Sequence, residues 1–286
     1  MNAPHDAPAS SLSQIQMQVM WDRLIAVTEE QSLTLIRTGF STSTREAGDV
    51  SAGVFDTDGN MLAQAVTGTP GHVNAMARAV RHFLNKFPAA SMRDGDVFFT
   101  NDPWKGTGHL HDFTFVTPTF RRGRMVGLFA STSHMVDVGG RGMGPDSRQV
   151  YEEGIYIPLM HFAREGKTEE ALIEVIRNNV REPTQVIGDL FSLSASNKVG
   201  GRRLVAMMDE FKLDSLDELA RHILDRSREA SIEAVRRVRP GVYRNEMLVD
   251  GYDKPVRLVA ALTVHPDYIE VDFSGTDPVS PFGINV

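Results

Sequence analysis

The sequence predicts a mixed α/β (α+β) protein, with a central sheet, a long helical tract and a C-terminal β segment. Three observations carry that prediction: segments of helical period alternate with segments of period two, turn-type sequences separate the latter, and a long middle stretch is rich in helix formers. Ser13 to Ile36 repeats apolar residues at helical spacing (Ile15, Val19, Met20, Leu24, Ile25, Leu33, Ile36), so an amphipathic helix is expected to end near Gly39. Val50 to Phe55 and Met61 to Ala65 flank Asp56-Thr57-Asp58-Gly59-Asn60, whose Asp-Gly favours a tight turn and hence a hairpin. Val73 to Phe87 returns to helical spacing. Asp96 to Thr100, Phe113 to Phe120 and Arg124 to Ser131 read as strands, the last two joined at Arg122-Gly123. Glu169 to Asn178 and Thr184 to Ala230 contain few Pro or Gly and predict the helical tract. Beyond Gly241, Val256, Leu258, Ala260, Leu262 and Val264 alternate, and Ile269, Val271 and Phe273 follow a Pro-Asp turn.

At 286 residues the chain can bury a substantial core. A net charge of -7 argues against nucleic acid as a partner, because neutralising phosphates needs a concentrated basic surface. The basic clusters Arg121-Arg122-Gly123-Arg124 and Arg236-Arg237-Val238-Arg239 are expected to cap a hairpin and a helix end. The first eight residues carry no basic segment followed by an apolar one, and no run of about 18 apolar residues occurs. No membrane span is expected, and a cytoplasmic location is. With no Cys, disulfides and thiol catalysis are excluded.

The chemistry concentrates in two short polar stretches. Asn101 to Asp112, rich in Gly and containing Pro103, forms a loop that carries His109 and Asp112 into a strand; His134 ends another apolar run and precedes Asp137 and Gly139-Gly140. Two imidazoles and a carboxylate suit Zn, Mn or Fe, whereas Ca and Mg sites rarely recruit histidine. Asp102 and Asp137 lie close by in sequence, Asp137 as a candidate to orient or deprotonate a water and Asp102 as a candidate to support the ligands from behind. No phosphate-binding glycine loop is present, and Gly139-Gly140-Arg141-Gly142-Met143-Gly144 has no βαβ context, which leaves flexibility or close backbone packing as its expected role. No Gly-x-Ser-x-Gly elbow supports a serine nucleophile.

Taken in order, Asn101-Asp102-Pro103, His109-x-x-Asp112, His134-x-x-Asp137-x-Gly139-Gly140, Glu153-Gly154, Asn179-x-Arg181-x-Pro183 and Gly188-Asp189-Leu190 resemble the hydantoinase B family. Its relatives include parts of 5-oxoprolinase, caprolactamase and the acetone and acetophenone carboxylases. The resemblance extends upstream to Arg37-Thr38-Gly39-Phe40-Ser41, Glu46, Asp49-Val50-Ser51 and Phe55-Asp56, and downstream to Asp272-Phe273-Ser274-Gly275-Thr276. It implies a divalent metal, Zn or Mn, on Asp49, His109, Asp112 and His134. His111, where many relatives have Pro, adds an imidazole that could act as ligand, base or substrate contact. The resemblance also implies a hydantoinase A-type partner that binds ATP and phosphorylates the carbonyl oxygen of a small-molecule substrate. The expected activity is ATP-dependent hydrolysis of a cyclic amide; the alternatives are ketone carboxylation and a non-catalytic assembly role. The polar residues 1-12 are expected to be a mobile start and 13-240 the metal-site core; because family members are commonly longer, 241-286 is expected to be a β-rich segment continued by a polypeptide that supplies the C-terminal half.

Overall fold

The computed structural model describes residues 13–283 except Thr67 and Met143, so the expectation for residues 1-12 falls outside it. The sheet has the order β2-β1-β5-β4-β3-β6-β7 and is antiparallel throughout. Its strands are β1 (Val50–Phe55), β2 (Met61–Gln64), β3 (Val97–Thr100), β4 (Asp112–Arg121), β5 (Arg124–His134), β6 (Met160–Arg164) and β7 (Lys167–Thr168). The helices are α1 (Gln14–Thr38), α2 (Pro70–Lys86), the single turn α3 (Val150–Glu153), α4 (Glu170–Asn179), α5 (Pro183–Glu210) and α6 (Asp217–Arg236). Ser13 starts α1 with a capping box, its hydroxyl accepting from Gln16 N while the Gln16 side chain accepts from Ser13 N.

Period two splits the sheet's side chains between its two faces. Val97, Phe99, Phe113 and Phe115 pack with Leu35 of α1 and with Leu190 and Leu193 of α5. Phe98, Val116, Leu128 and Ala130 point the other way, against Met76, Val80 and Phe83 of α2. Helices therefore cover both faces, and the central strands β1, β5 and β4 are buried along nearly their whole length. Close approach of α5 to the sheet depends on Gly200: a Cβ there would fall 2.4 Å from the Phe129 ring.

The structure departs from the sequence expectation in three places. The helical tract is broken at residues 211–216, where Lys212 takes a positive φ of 56° and the guanidinium of Arg121 donates to Leu213 O (2.6 Å) and to Asp209. Strands β6 and β7, absent from the sequence reading, extend the sheet beyond β3 through a turn at Glu165-Gly166. Residues following the last strand also do more than expected. The second sheet contains β8 (Gly241–Val249), β9 (Val256–Val264) and β10 (Ile269–Asp272) in the order β10-β9-β8. Past β10, Asp277 N donates to Arg257 O and Val259 N donates to Thr276 Oγ1, so the chain continues along β9.

Candidate metal centre

Sheet register assembles the centre. Asp112 at the start of β4 is the cross-strand partner of His134 at the end of β5. Val50 opposes Ser133, and His134 N donates to Asp49 O (3.2 Å), which places Asp49, just before β1, beside His134. Asp112 shares its side with Val116, and His134 with Ala130, the residues that pack against α2. His109 arrives from the loop before β4. Asn101 anchors that loop: its Nδ2 donates to Leu110 O (2.8 Å) and Ile155 O (2.9 Å), while its Oδ1 accepts from Ile157 N (2.7 Å).

The ligand atoms of His109, Asp112 and His134 all lie within 4.8 Å of one another. Asp112, whose side chain is 1% exposed, is the hub: Oδ1 is 2.9 Å from His134 Nδ1 and 3.0 Å from His109 Nε2, while Oδ2 accepts from Thr107 Oγ1 (2.7 Å) and is 3.0 Å from His72 Nε2. Burial alone would push this carboxyl up, but the imidazoles of His109, His134 and His72 outweigh it and hold Asp112 far below the usual carboxylate range. His109 is raised, chiefly by Asp112, with burial opposing. Asp49 sits at the edge of the cluster, its Oδ2 4.0 Å from His134 Nδ1 and its Oδ1 accepting from Thr69 Oγ1 (2.7 Å).

His72 is the residue that sequence reasoning missed. It lies in the first turn of α2 and is 6% exposed, with Nε2 3.0 Å from Asp112 and 3.6 Å from Asp49.

His111 is 6% exposed and stacks on His134 with ring centroids 5.2 Å apart. Burial, followed by the charges of His134 and His109, lowers it to about 4, so it is neutral near pH 7. The other two carboxylates face protein donors. Asp102 accepts from Lys105 Nζ (2.9 Å), Tyr156 Oη (2.7 Å) and Trp104 N (3.0 Å), and these bonds outweigh burial to lower its pKa. Asp137 accepts from Gly139 N (3.0 Å), Arg181 N and the Arg181 guanidinium (2.5 Å), which lower it in the same way. The glycine run after His134 serves close packing: a Cβ at Gly140, whose φ is 54°, would meet the Glu153–Gly154 backbone at 2.5 Å.

A divalent cation fits this donor set. His109 Nε2 is buried and close to Asp112, yet no hydrogen bond satisfies it, because the 3.0 Å approach to Oδ1 is poorly directed. His134 Nδ1 is hydrogen-bonded to Asp112 Oδ1 (2.9 Å), so the orphaned His109 Nε2 beside an ionised carboxylate is the feature that a shared cation explains. The raised His109 fixes the sign of the pH dependence. Metal uptake must displace its proton, so the apparent metal affinity is expected to fall as pH drops through the His109 titration, by about tenfold per pH unit for each proton displaced. Calorimetric titration in buffers of different ionisation enthalpy measures that release; zero protons released would contradict it.

A model of the hydantoinase B/oxoprolinase family matches residues 13–286. The chain belongs to that family. It is 29% identical over 217 residues to 5-oxoprolinase of Dictyostelium discoideum, covering 75% of this chain and 17% of that protein. It is 26% identical over 244 residues to caprolactamase subunit beta of Pseudomonas jessenii, covering 84% of this chain and 42% of that one. Among solved structures, the ATP-dependent caprolactamase of Pseudomonas jessenii superposes with a TM-score of 0.86 at 24% identity, covering 96% of this chain and 48% of that one. A nucleotide-free acetone carboxylase gives 0.82 at 19% identity, covering 92% and 37%. These two establish the shared fold. The chain thus spans about half the length of the relatives it matches, or less. Its sequence relatives include 5-oxoprolinase and a caprolactamase subunit, while the likeness to acetone carboxylase is one of fold. Among the described residues no helix is long and apolar enough to cross a membrane.

Proposed function

We propose that this chain is the metal-binding subunit of an ATP-dependent cyclic-amide hydrolase, acting on a carbonyl substrate activated by a hydantoinase A-type ATP-binding partner. The unsatisfied His109 Nε2 beside the ionised Asp112 carries the reading. His109, Asp112 and His134, with Asp49 at the edge, would hold Zn or Mn, and His72 would steady Asp112 from α2. A bound ion supplies Lewis acidity and a nucleophile from water at neutral pH. Cyclic amides need both kinds of help, because nitrogen's lone pair delocalises into the carbonyl and makes it a poor electrophile.

The remaining roles belong to the chain's own groups. His111, neutral and packed on His134, is suited to accept a hydrogen bond beside the cluster and is a weak proton acceptor. Asp102 and Asp137 support the site: Asp102 fixes the Trp104–Lys105 turn that leads to His109, and Asp137 ties the loop after His134 to Arg181. A polypeptide corresponding to the other half of the relatives' length, in cis or in trans, covers the exposed face of the β8–β10 sheet.

Mixing the chain with an A-type subunit, ATP, a cyclic amide and labelled bicarbonate tests the reading. Ring-opened product without label, dependent on both ATP and the partner, is expected. Label retained in product would replace hydrolysis by carboxylation, and turnover without the partner would overturn the division of labour.

A further inference from the structure

Two cations of α5 that the fold leaves unpaired flank a second cavity, far along β4 from the metal centre. Strand β4 runs on to Arg121, whereas its register with β3 stops at Val116 opposite Phe98, so its far end is uncovered beside the turn that leads into β3. The space there, about 270 Å³, is walled by Asp94 of that turn, Thr119 of β4 and Asn197, Lys198, Gly201 and Arg202 of α5. Its volume is at the small end of ligand cavities. Thr119 is roughly 23 Å along the extended strand from Asp112, which separates this cavity from the metal cluster.

The walls are held by the fold itself. Asp96 accepts from Arg93 N (2.8 Å) and Glu165 N (3.0 Å), and Gly166 N donates to Gly95 O (2.9 Å), which pins the turn that carries Asp94. Asn197, fully buried, ties α5 to its neighbours: its Nδ2 donates to Thr117 Oγ1 (3.2 Å) and its Oδ1 accepts from Gln31 Nε2 (2.8 Å). A Cβ on Gly201 would fall 2.8 Å from Thr119 Oγ1, so the glycine keeps that hydroxyl uncovered. The hydroxyl has no hydrogen-bond partner among the described residues and is not sealed in the core, which leaves it open to the cavity.

Charge is what this wall leaves unanswered. Arg203 and Arg121 nearby pair with Glu30 and Asp209, but Lys198 and Arg202 have no carboxylate partner among the described residues. Like charges spaced i and i+4 on a helix repel each other, a cost that an anion lying between them reverses. Asp94, on the other wall, is also unpaired and forms an ion pair with neither cation. A ligand that satisfies both walls is negative at one end and positive at the other.

We propose that this cavity is a second, non-catalytic site for a small zwitterion, its carboxylate held by Lys198, Arg202 and the Thr119 hydroxyl and its ammonium by Asp94, and that this zwitterion is the amino acid released when a lactam ring is opened. Hydrolysis supplies both charges. Water adds across the C–N bond: the carbonyl carbon takes the water oxygen and becomes a carboxylate, and both water protons end on the nitrogen as ammonium. A neutral closed ring has neither charge, so the site distinguishes product from substrate. The source of the zwitterion rests on the cyclic-amide reading above; its binding rests on the cavity alone.

Val205, which also lines the cavity, reports occupancy through its methyl resonances. The full chain and its His109→Ala variant, in which the metal centre is disabled, are titrated with 4-aminobutanoate, butanoate, butylamine and 2-pyrrolidinone, the closed ring. The Val205 shifts should saturate with 4-aminobutanoate at concentrations at least about tenfold below those needed for the other three, equally in both proteins. Lys198→Gln combined with Arg202→Gln should abolish the response, and Asp94→Asn should weaken 4-aminobutanoate to the level of butanoate. Equal response to butanoate and 4-aminobutanoate, a titration unchanged in the Lys198→Gln and Arg202→Gln chain, loss of the response in His109→Ala, or no shift with any probe overturns the proposal. The shifts are read without ATP, partner or turnover, so their absence strikes this site and leaves the hydrolase reading standing. Bicarbonate label retained by the assembled enzyme, with the Val205 shifts intact, would instead strike that reading and the source it gives the zwitterion.

Discussion

Alanine at His109 or His134 is expected to leave the purified protein without stoichiometric metal and to lower turnover of the assembled enzyme at least about a thousandfold, a loss of about 4 kcal/mol of transition-state stabilisation. The two imidazoles stand on different supports, His134 on β5 and His109 on a loop pinned by Asn101, so neither substitution removes the other residue's anchor. Thermal unfolding of the metal-free variants should stay near that of the metal-free parent, because His134 lies at a strand end and His109 on a loop, neither of them in a core. Asp112→Ala should behave differently. It removes the carboxylate that His72, His109 and His134 all face and leaves their buried imidazoles crowded together, so a fold penalty of about 3 kcal/mol is expected in addition to metal loss. Elemental analysis and denaturant unfolding of the three variants check this. Retention of one metal per chain and near-parental turnover by His109→Ala would sink the centre.

The sequence made the central hairpin and the two chemical stretches legible for a physical reason. Long β-branched and aromatic runs joined at Arg122-Gly123 specify β4 and β5, and their register then dictates that Asp112 faces His134. Asp49 was reached by family resemblance alone; its place beside His134 follows from the β1–β5 pairing, which no local pattern announces. His72 was missed because it sits in an amphipathic helix among Met76, Val80 and Phe83, where a buried histidine reads as core; only the packing of that helix's first turn against β1 and β4 reveals its role. The break before α6 carries neither Gly nor Pro. It is imposed by Arg121 reaching across from β4 to Leu213 O, a tertiary contact that overrides helix propensity. Strands β6 and β7 are short and lie beside a Glu-Gly turn, too little pattern to distinguish from loop.

A charge placed on the β8–β10 sheet is expected to block assembly while making the isolated chain better behaved. Cross-strand register puts Tyr243 beside Leu262 and Val271, Met247 beside Leu258, and Val264 beside Ile269, so alternate residues of all three strands share one apolar face. Exposure along it is high, with Met247 at 55%, Val271 at 47% and Phe273 at 65%. The opposite face carries Arg244, Arg257 and Glu246, the last two paired as an ion pair, as a water-facing surface should. An apolar face of this kind, with β8 and β10 as unprotected edges, drives association with a complementary polypeptide or with itself. Covering it with the polypeptide proposed above would form an obligate-type interface, on the order of 2,000 Å² or more. Val271→Glu or Met247→Glu should therefore abolish complex formation in size-exclusion chromatography and reduce self-association of the chain alone, with metal content unchanged because the metal centre lies on the other sheet. A complex that assembles with parental affinity in both variants, or an unsubstituted chain that remains a monodisperse monomer at high concentration, would show that this face is complete as it stands.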